Sequence, residues 1–321
     1  MFKNAKVLVT GGAGFVGSNL IVRLLELGAQ VTATIHKKAP QIKDSRVNYI
    51  QAELLNPADC EKVTAGQDYV IMCAANTSGA QVMATTPLVH LTPNVIMNVS
   101  MLDAAYKAGV KKFLFMSSNT VYPLTDYPVK EDDCTNEFYE KYHIVAWMKR
   151  FTEIVCEMYD NKIAKPMKVV VVRPGNIYGE YDDFEWATSH VIPALVRKVA
   201  ERMAPLEVWG DGKDLKDFIY IQDCLDGMLL AMEKQDGYDP INIAGGNSVT
   251  VRDVLGRLLK AANYEDAEPK FLTDKPTMIP KRLIDISKAK RELGFEPKTP
   301  IGEGLARTLK WYQANPVTTG G

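Results

Sequence analysis

Lys6-Val7-Leu8-Val9-Thr10-Gly11-Gly12-Ala13-Gly14-Phe15-Val16-Gly17 is the stretch that decides the fold. The apolar run Val7 to Val9 reads as a buried strand, and apolar residues from Asn19 to Leu27 recur at helical spacing. Between them stand Gly11, Gly14 and Gly17. Gly11 permits the tight turn, Gly14 lets a pyrophosphate approach the backbone, and Gly17 lets the helix pack close to the strand. The first-turn amides, at Phe15, Val16 and Gly17, together with the helix dipole favour an anion there. A glycine-rich turn without a ligand is the plainer reading. The strand before it and the helix after it favour a dinucleotide site.

Working outward, the 321 residues suffice for one large domain, or for a nucleotide domain with a smaller lobe. The chain is 46% hydrophobic and 24% charged with net charge -1, so no basic excess points to nucleic acid or to an anionic membrane. The opening residues run straight into the first strand, and no apolar stretch approaches bilayer length, which predicts a cytoplasmic protein without a signal peptide. Cys60, Cys73, Cys134, Cys156 and Cys224 are scattered, odd in number and lack a CxxC pair. They read as reduced thiols, not as a disulfide frame or a metal site.

Strands are expected at Gln30 to Ile35, Val47 to Gln51, Tyr69 to Cys73, Phe113 to Met116 and Met167 to Val172. Helices are expected at Pro57 to Val63, Pro93 to Lys107 and Phe138 to Tyr159. The alternation predicts an α/β fold of Rossmann type, a doubly wound parallel sheet covered on both faces. The second half is less regular. It carries helical patterns at Ala187 to Met203, Gln222 to Glu233, Val251 to Ala262 and Gly302 to Gln313, and strands at Asp217 to Ile221 and Ile241 to Ala244. We expect residues 1–175 to bind the dinucleotide and residues 176–321 to form mainly a small C-terminal substrate-binding lobe, with late strands returning to the first sheet.

The end of the second strand bears on the cofactor. An acid there binds the ribose 2′-OH of NAD, whereas basic groups suit the 2′-phosphate of NADP. Thr34-Ile35-His36-Lys37-Lys38 contains no acid, so NADP(H) is favoured and NAD(H) is possible, with His36 and Lys37 as contacts. A solvated loop with two lysines is the alternative.

The chain resembles the extended short-chain dehydrogenase/reductase family over almost its whole length. The carriers are Thr10 to Gly17, Cys73-Ala74-Ala75, Met116-Ser117-Ser118-Asn119-Thr120-Val121-Tyr122, Arg173-Pro174-Gly175-Asn176-Ile177-Tyr178-Gly179 and Asp217-Phe218-Ile219-Tyr220. Within that family it looks most like the GDP-L-fucose synthase branch and related GDP-sugar enzymes, on Asn94 to Lys112, Tyr122-Pro123, Thr188 to Leu195 and Val208-Trp209-Gly210. The resemblance implies a homodimer through the helices around Pro93 to Lys107 and Ile144 to Tyr159. It also implies cofactor contacts from Cys73, Ala74, Ala75, Asn94, Lys149 and Arg173 beside the glycine turn. Substrate contacts fall on Asn119, Thr120, Asn176, Val191, Lys198, Trp209, Lys216 and Arg282, of which Lys216 and Arg282 would reach a nucleotide diphosphate.

Family chemistry uses Ser, Tyr and Lys: the phenol trades a proton with a sugar oxygen, the Lys lowers the phenol's pKa, and the Ser orients the carbonyl oxygen. Ser118 and Lys149 match. Glu153 and Glu157-Met158-Tyr159 fix the register and put Val145 where the Tyr belongs. Three readings compete. Either the phenol is lost, naturally or by engineering; or Tyr142, two turns up the same helix face, replaces it; or His190 acts as acid/base. Thr120 stands where the resemblance implies a Cys that pairs with that His, and a hydroxyl is a far weaker base than a thiol. C4 oxidation or reduction of a GDP-sugar is therefore the expected reaction. An epimerase/reductase and a cofactor-binding protein without catalysis are the alternatives. No metal is expected.

Overall fold

The computed structural model describes residues 1–76, 82 and 85–317. Its main layer is a parallel sheet of seven strands in the order β10-β6-β5-β4-β1-β2-β3. These are β1 (Lys6–Thr10), β2 (Gln30–Ile35), β3 (Asn48–Gln51), β4 (Tyr69–Met72), β5 (Lys112–Met116), β6 (Lys168–Pro174) and β10 (Ile241–Ile243). Side chains alternate across it. Val7, Val9, Leu114, Val170 and Val172 enter one core, whereas Leu8, Phe113, Phe115, Val169 and Val171 enter the other. Burial on both faces explains why these strands read as unbroken apolar runs.

Helix α1 (Phe15–Glu26) packs with α6 (Ile221–Lys234) on one face. Helices α2 (Pro57–Thr64), α3 (Thr92–Lys107) and α4 (His143–Asn161) pack in succession on the other. Asn98 donates to Thr152 Oγ1 at 3.2 Å, which ties α3 to α4. Helix α4 starts five residues later than the pattern from Phe138 predicted, because Phe138 folds back onto Trp147 with ring centroids 5.1 Å apart and a 3-10 turn (Glu140–Tyr142) intervenes.

The second half builds two small sheets. One is β7 (Asn176–Tyr178), β9 (Leu215–Tyr220) and β11 (Ser248–Thr250), and the other pairs β8 (Leu206–Trp209) with β12 (Pro269–Leu272). Helices α5 (Val191–Ala200), α7 (Val251–Ala261) and α9 (Ile301–Ala314) pack together around them, and α8 (Ser287–Leu293) lies against α6 and β10. The pattern predicted α5 from Ala187. It begins at Val191, because Trp186 turns aside to stack under the Arg197 guanidinium, 4.1 Å from ring to cation.

Candidate active site

The glycine turn closes the carboxyl end of β1. Gly11 has φ +71°, and a Cβ on Gly17 would lie 2.2 Å from the Gly11 carbonyl oxygen, so helix and turn meet with no room for a side chain. Gly14 precedes α1 without a side-chain cap, which leaves the first amides of the helix directed at the turn. Thr10 Oγ1 accepts the amides of Cys73 and Ala74 at 3.1 and 3.0 Å and so joins this turn to the end of β4. A narrow glycine cradle with uncapped amides, at the carboxyl end of a parallel sheet, fits a dinucleotide pyrophosphate. A surface groove along Lys6, Gly28, Gln30 and Arg46 lies at the amino ends of the strands, away from this chemistry.

Ser118 follows β5, and its Oγ accepts the Thr120 amide at 3.1 Å. Lys149 is buried; its Nζ donates to the Met116 carbonyl at 2.8 Å and lies 5.0 Å from the Phe115 ring centroid. Burial pushes the Lys149 ammonium down to about 8, against the opposing charges of Glu153 and Cys73. Burial likewise pushes the Cys73 thiol up to about 12, which makes it a packing group and not a nucleophile. Val145 is half-buried on the same helix.

Behind Ser118 lies a buried polar network that the sequence did not reveal. Arg173 grips Glu153 with two bonds of 2.9 and 2.7 Å and also donates to Tyr122 Oη and the Glu131 carbonyl. Ser117 and Arg150 complete the Glu153 carboxylate. Burial pushes that carboxyl up, but Arg173, Ser117 and Arg150 together hold it below its usual range. Tyr122 Oη donates a hydrogen bond to Asn242 Oδ1 at 2.6 Å. The Arg173 guanidinium, expected beside the cofactor, is bonded to Glu153 and holds β6 to α4. The Asn94 amide is bonded to the Asn76 backbone and to the His90 carbonyl.

Tyr142 is placed away from Lys149. Its phenol is met by the Ile279 amide and the Arg282 charge, and burial, outweighing both, pushes it up to about 12. A phenol so raised is a poor proton carrier near neutral pH. Arg282 is buried, donating to the carbonyls of Pro123 and Tyr122, while its Nε has no partner among the described residues. Lys216 is buried beside it through Asp214 and the Ile279 carbonyl. Tyr142 and Lys216 therefore meet at Ile279, with Arg282 near enough for its charge to act on the Tyr142 phenol.

Asn119 donates to Pro174 and Asn176 to Asp217, both backbone carbonyls. Thr120 Oγ1 is buried without a partner among the described residues. His190 precedes Val191 at the head of α5, open to solvent on one side; desolvation pushes its imidazole down, the Asp183 charge opposes, and the nearby His90 adds to the depression. Lys198 donates to the Glu207 carbonyl, and Trp209 is partly exposed at the end of β8.

Lys37 and Lys38 are exposed after β2. His36 pairs with Glu53, 3.0 Å from nitrogen to oxygen. Glu53 was missed because it comes from the end of β3, not β2. Among the described residues no cluster of His, Cys, Asp or Glu could hold a metal ion, and no helix is long and apolar enough to cross a membrane.

A glycine-cradled turn with uncapped helix amides, at the carboxyl end of a parallel sheet, is the arrangement of a dinucleotide-binding protein. The model of the NAD dependent epimerase/dehydratase family matches residues 7–244, and the chain belongs to that family, the extended short-chain dehydrogenase/reductases. It is 31% identical over 331 residues to a probable GDP-L-fucose synthase 1 of Oryza sativa subsp. japonica, covering 98% of this chain and 94% of that protein. The fold matches a Thermotoga maritima UDP-glucose 4-epimerase with UDP-glucose at TM-score 0.86 and 27% identity, over 96% of this chain and 99% of the other. It also matches a Bacillus cereus UDP-glucuronic acid 4-epimerase with UDP-glucuronic acid and NAD at TM-score 0.84 and 26% identity, over 97% and 99%. The chain is thus a nucleotide-sugar epimerase/reductase by family.

Proposed function

We propose that the chain is an NAD(P)-dependent oxidoreductase acting at C4 of a GDP-linked hexose or heptose, as reductase of the 4-keto form or dehydrogenase of the 4-hydroxy form. The observation that carries this reading is the buried Lys149, depressed toward neutrality and set behind the Ser118 loop at the carboxyl end of the sheet. The bound dinucleotide supplies hydride exchange with the sugar carbon. Residues 1–175 hold it: the turn Gly11, Gly14, Phe15, Val16, Gly17 takes the pyrophosphate, Cys73 to Ala75 flank it, and Lys149 holds the ribose. Ser118 orients the sugar oxygen. Residues 176–321 hold the substrate, with Lys216 and Arg282 toward the diphosphate, Lys198, Trp209 and Val191 toward the nucleoside, and Asn119, Thr120 and Asn176 toward the sugar. The orphaned Arg282 Nε and Thr120 Oγ1 are buried polar atoms suited to such a ligand. The rice relative's name favours GDP over other nucleotides.

NADP(H) is favoured, with the 2′-phosphate on Lys37 and Lys38. NAD(H) is the second reading, and the Glu53 carboxylate beside His36 is the observation that favours it. An epimerase/reductase acting on a GDP-4-keto-6-deoxymannose-type sugar is the alternative activity, resting on His190 at the head of α5. A cofactor-binding protein without catalysis is the last. We further propose a cytoplasmic homodimer through α3 and α4, because Ile96 on α3 and Trp147, Phe151 and Met158 on α4 leave apolar surface exposed.

The test is a panel of GDP-, dTDP- and UDP-linked 4-keto and 4-hydroxy sugars with NADPH, NADH and their oxidised forms, read by nicotinamide absorbance. Turnover confined to GDP-sugars with retained C3 and C5 configuration is expected. Binding without turnover on every sugar would leave only the non-catalytic reading.

A further inference from the structure

His90 ends the 3-10 turn Pro87–His90, which packs against α4, the helix that carries Val145 and Lys149. The residue is 2% exposed. Its Nδ1 lies 3.1 Å from the Asn76 carbonyl, which can only accept, so Nδ1 carries the ring proton. The second lone pair of that carbonyl takes Asn94 Nδ2 at 2.9 Å, and Asn94 also holds the His90 carbonyl at 2.7 Å. Ring and backbone are thus both fixed. Nε2 is left with a bare lone pair, buried and without a partner among the described residues. A buried polar atom left unpaired costs stability and calls for an explanation. The ring is close enough to His190, at the head of α5, to add to the depression of the His190 imidazole.

We propose that His90 Nε2 does the proton work of the absent phenol: it receives the proton of the sugar's C4 hydroxyl as hydride leaves C4 for the oxidised pyridine nucleotide, and returns it in reduction. The C4–H and O–H bonds break, the C4=O bond and the Nε2–H bond form, and the nicotinamide is reduced by two electrons. The assignment rests on the oxidoreductase reading above. Asn76 and Asn94 are positioning residues that hold the tautomer in which the lone pair faces away from the backbone.

The chain has four histidines, so a 15N-histidine spectrum of the whole protein is simple, and His90→Asn identifies the His90 signals by their loss. The expected spectrum has His90 Nδ1 protonated and Nε2 bare at neutral pH. Asparagine can reproduce the Nδ1–H bond to Asn76 O while lacking the base. His90→Asn is therefore expected to keep its melting midpoint and cofactor affinity, to hold KM within about threefold, and to lose roughly 10²-fold or more in kcat. Free imidazole is expected to restore part of the rate to His90→Gly, in proportion to its neutral fraction. An Nε2-protonated ring, a kcat within threefold of the parent in His90→Asn, or no imidazole rescue overturns the assignment alone. A parent protein that binds no pyridine nucleotide overturns the oxidoreductase reading and the assignment with it.

Discussion

Replacing Lys149 by methionine should make the protein more stable while removing its chemistry. The folded-state ammonium titrates at about 8 because burial disfavours the charge. An unfolded lysine titrates near 10.4, so the depression amounts to about 3 kcal/mol of cost in the native state. The sign follows from the direction: a cation whose folded value lies below its unfolded one costs the full amount below about pH 8. The cost shrinks as pH climbs toward the ordinary lysine value and is gone above it. Lys149→Met removes this cost but leaves the Met116 carbonyl without its 2.8 Å partner, a loss of about 1 kcal/mol. The net expectation is a gain of roughly 2 kcal/mol at pH 7, falling to zero or slightly below by pH 10.5. Urea denaturation of parent and variant at pH 7 and pH 10.5 measures both. A variant less stable than the parent at pH 7, or a difference that does not change with pH, would refute the reasoning. It would mean that the ammonium is a net structural asset and not a strained functional group.

Arg173→Met should cost about 3 kcal/mol, since it leaves the buried Glu153 carboxylate with only Arg150 and Ser117; the urea midpoint should drop accordingly, and most of the loss should be recovered below pH 5, where that carboxyl protonates. Gly17→Ala forces a methyl to 2.2 Å from the Gly11 oxygen, so the ligand-induced rise in melting temperature with NADPH should disappear even where the variant still folds. Lys37→Ala with Lys38→Ala should weaken NADPH binding about tenfold by calorimetry and leave NADH within twofold, as expected for loss of cations that face only the extra phosphate. Val145→Tyr should raise kcat by less than tenfold, because a phenol added beside a histidine that already moves the proton supplies little further acid/base catalysis.

Much of this was legible in the sequence, for a physical reason. Strands β1, β2, β4, β5 and β6 are buried on both faces, so their apolar runs announce them, and Gln30–Ile35 was bounded correctly to the residue. The glycine turn is a local steric necessity and shows locally. Lys149 could be set on its helix from the sequence because a helix fixes the spacing of its own side chains. What escaped notice depends on groups brought together from far apart. Arg173 looks like any cation until Glu153, twenty residues earlier on α4, is folded against it. Glu53 arrives beside His36 only when β3 pairs with β2. His90 carries no motif at all, and what marks it is its bond to the Asn76 carbonyl and a buried Nε2 without a partner among the described residues. The short strands β8 and β12 were missed because each is defined by its partner more than by its own pattern.

The outermost position of the sheet next to β6 is filled by β10, which begins only at Ile241, whereas β6 ends at Pro174. Asn242 then locks the seam, bonded to Tyr122, Val129 and Asp285. During synthesis at about 5–20 residues per second, the β6 edge stays open for several seconds after that strand has left the ribosome. In that interval the nascent chain presents an unpaired, strongly apolar Val169-Val170-Val171-Val172 ribbon, the kind of template on which other chains add strands. A ribosome-stalled fragment ending before Ile241 is thus the form of this protein most in need of a chaperone.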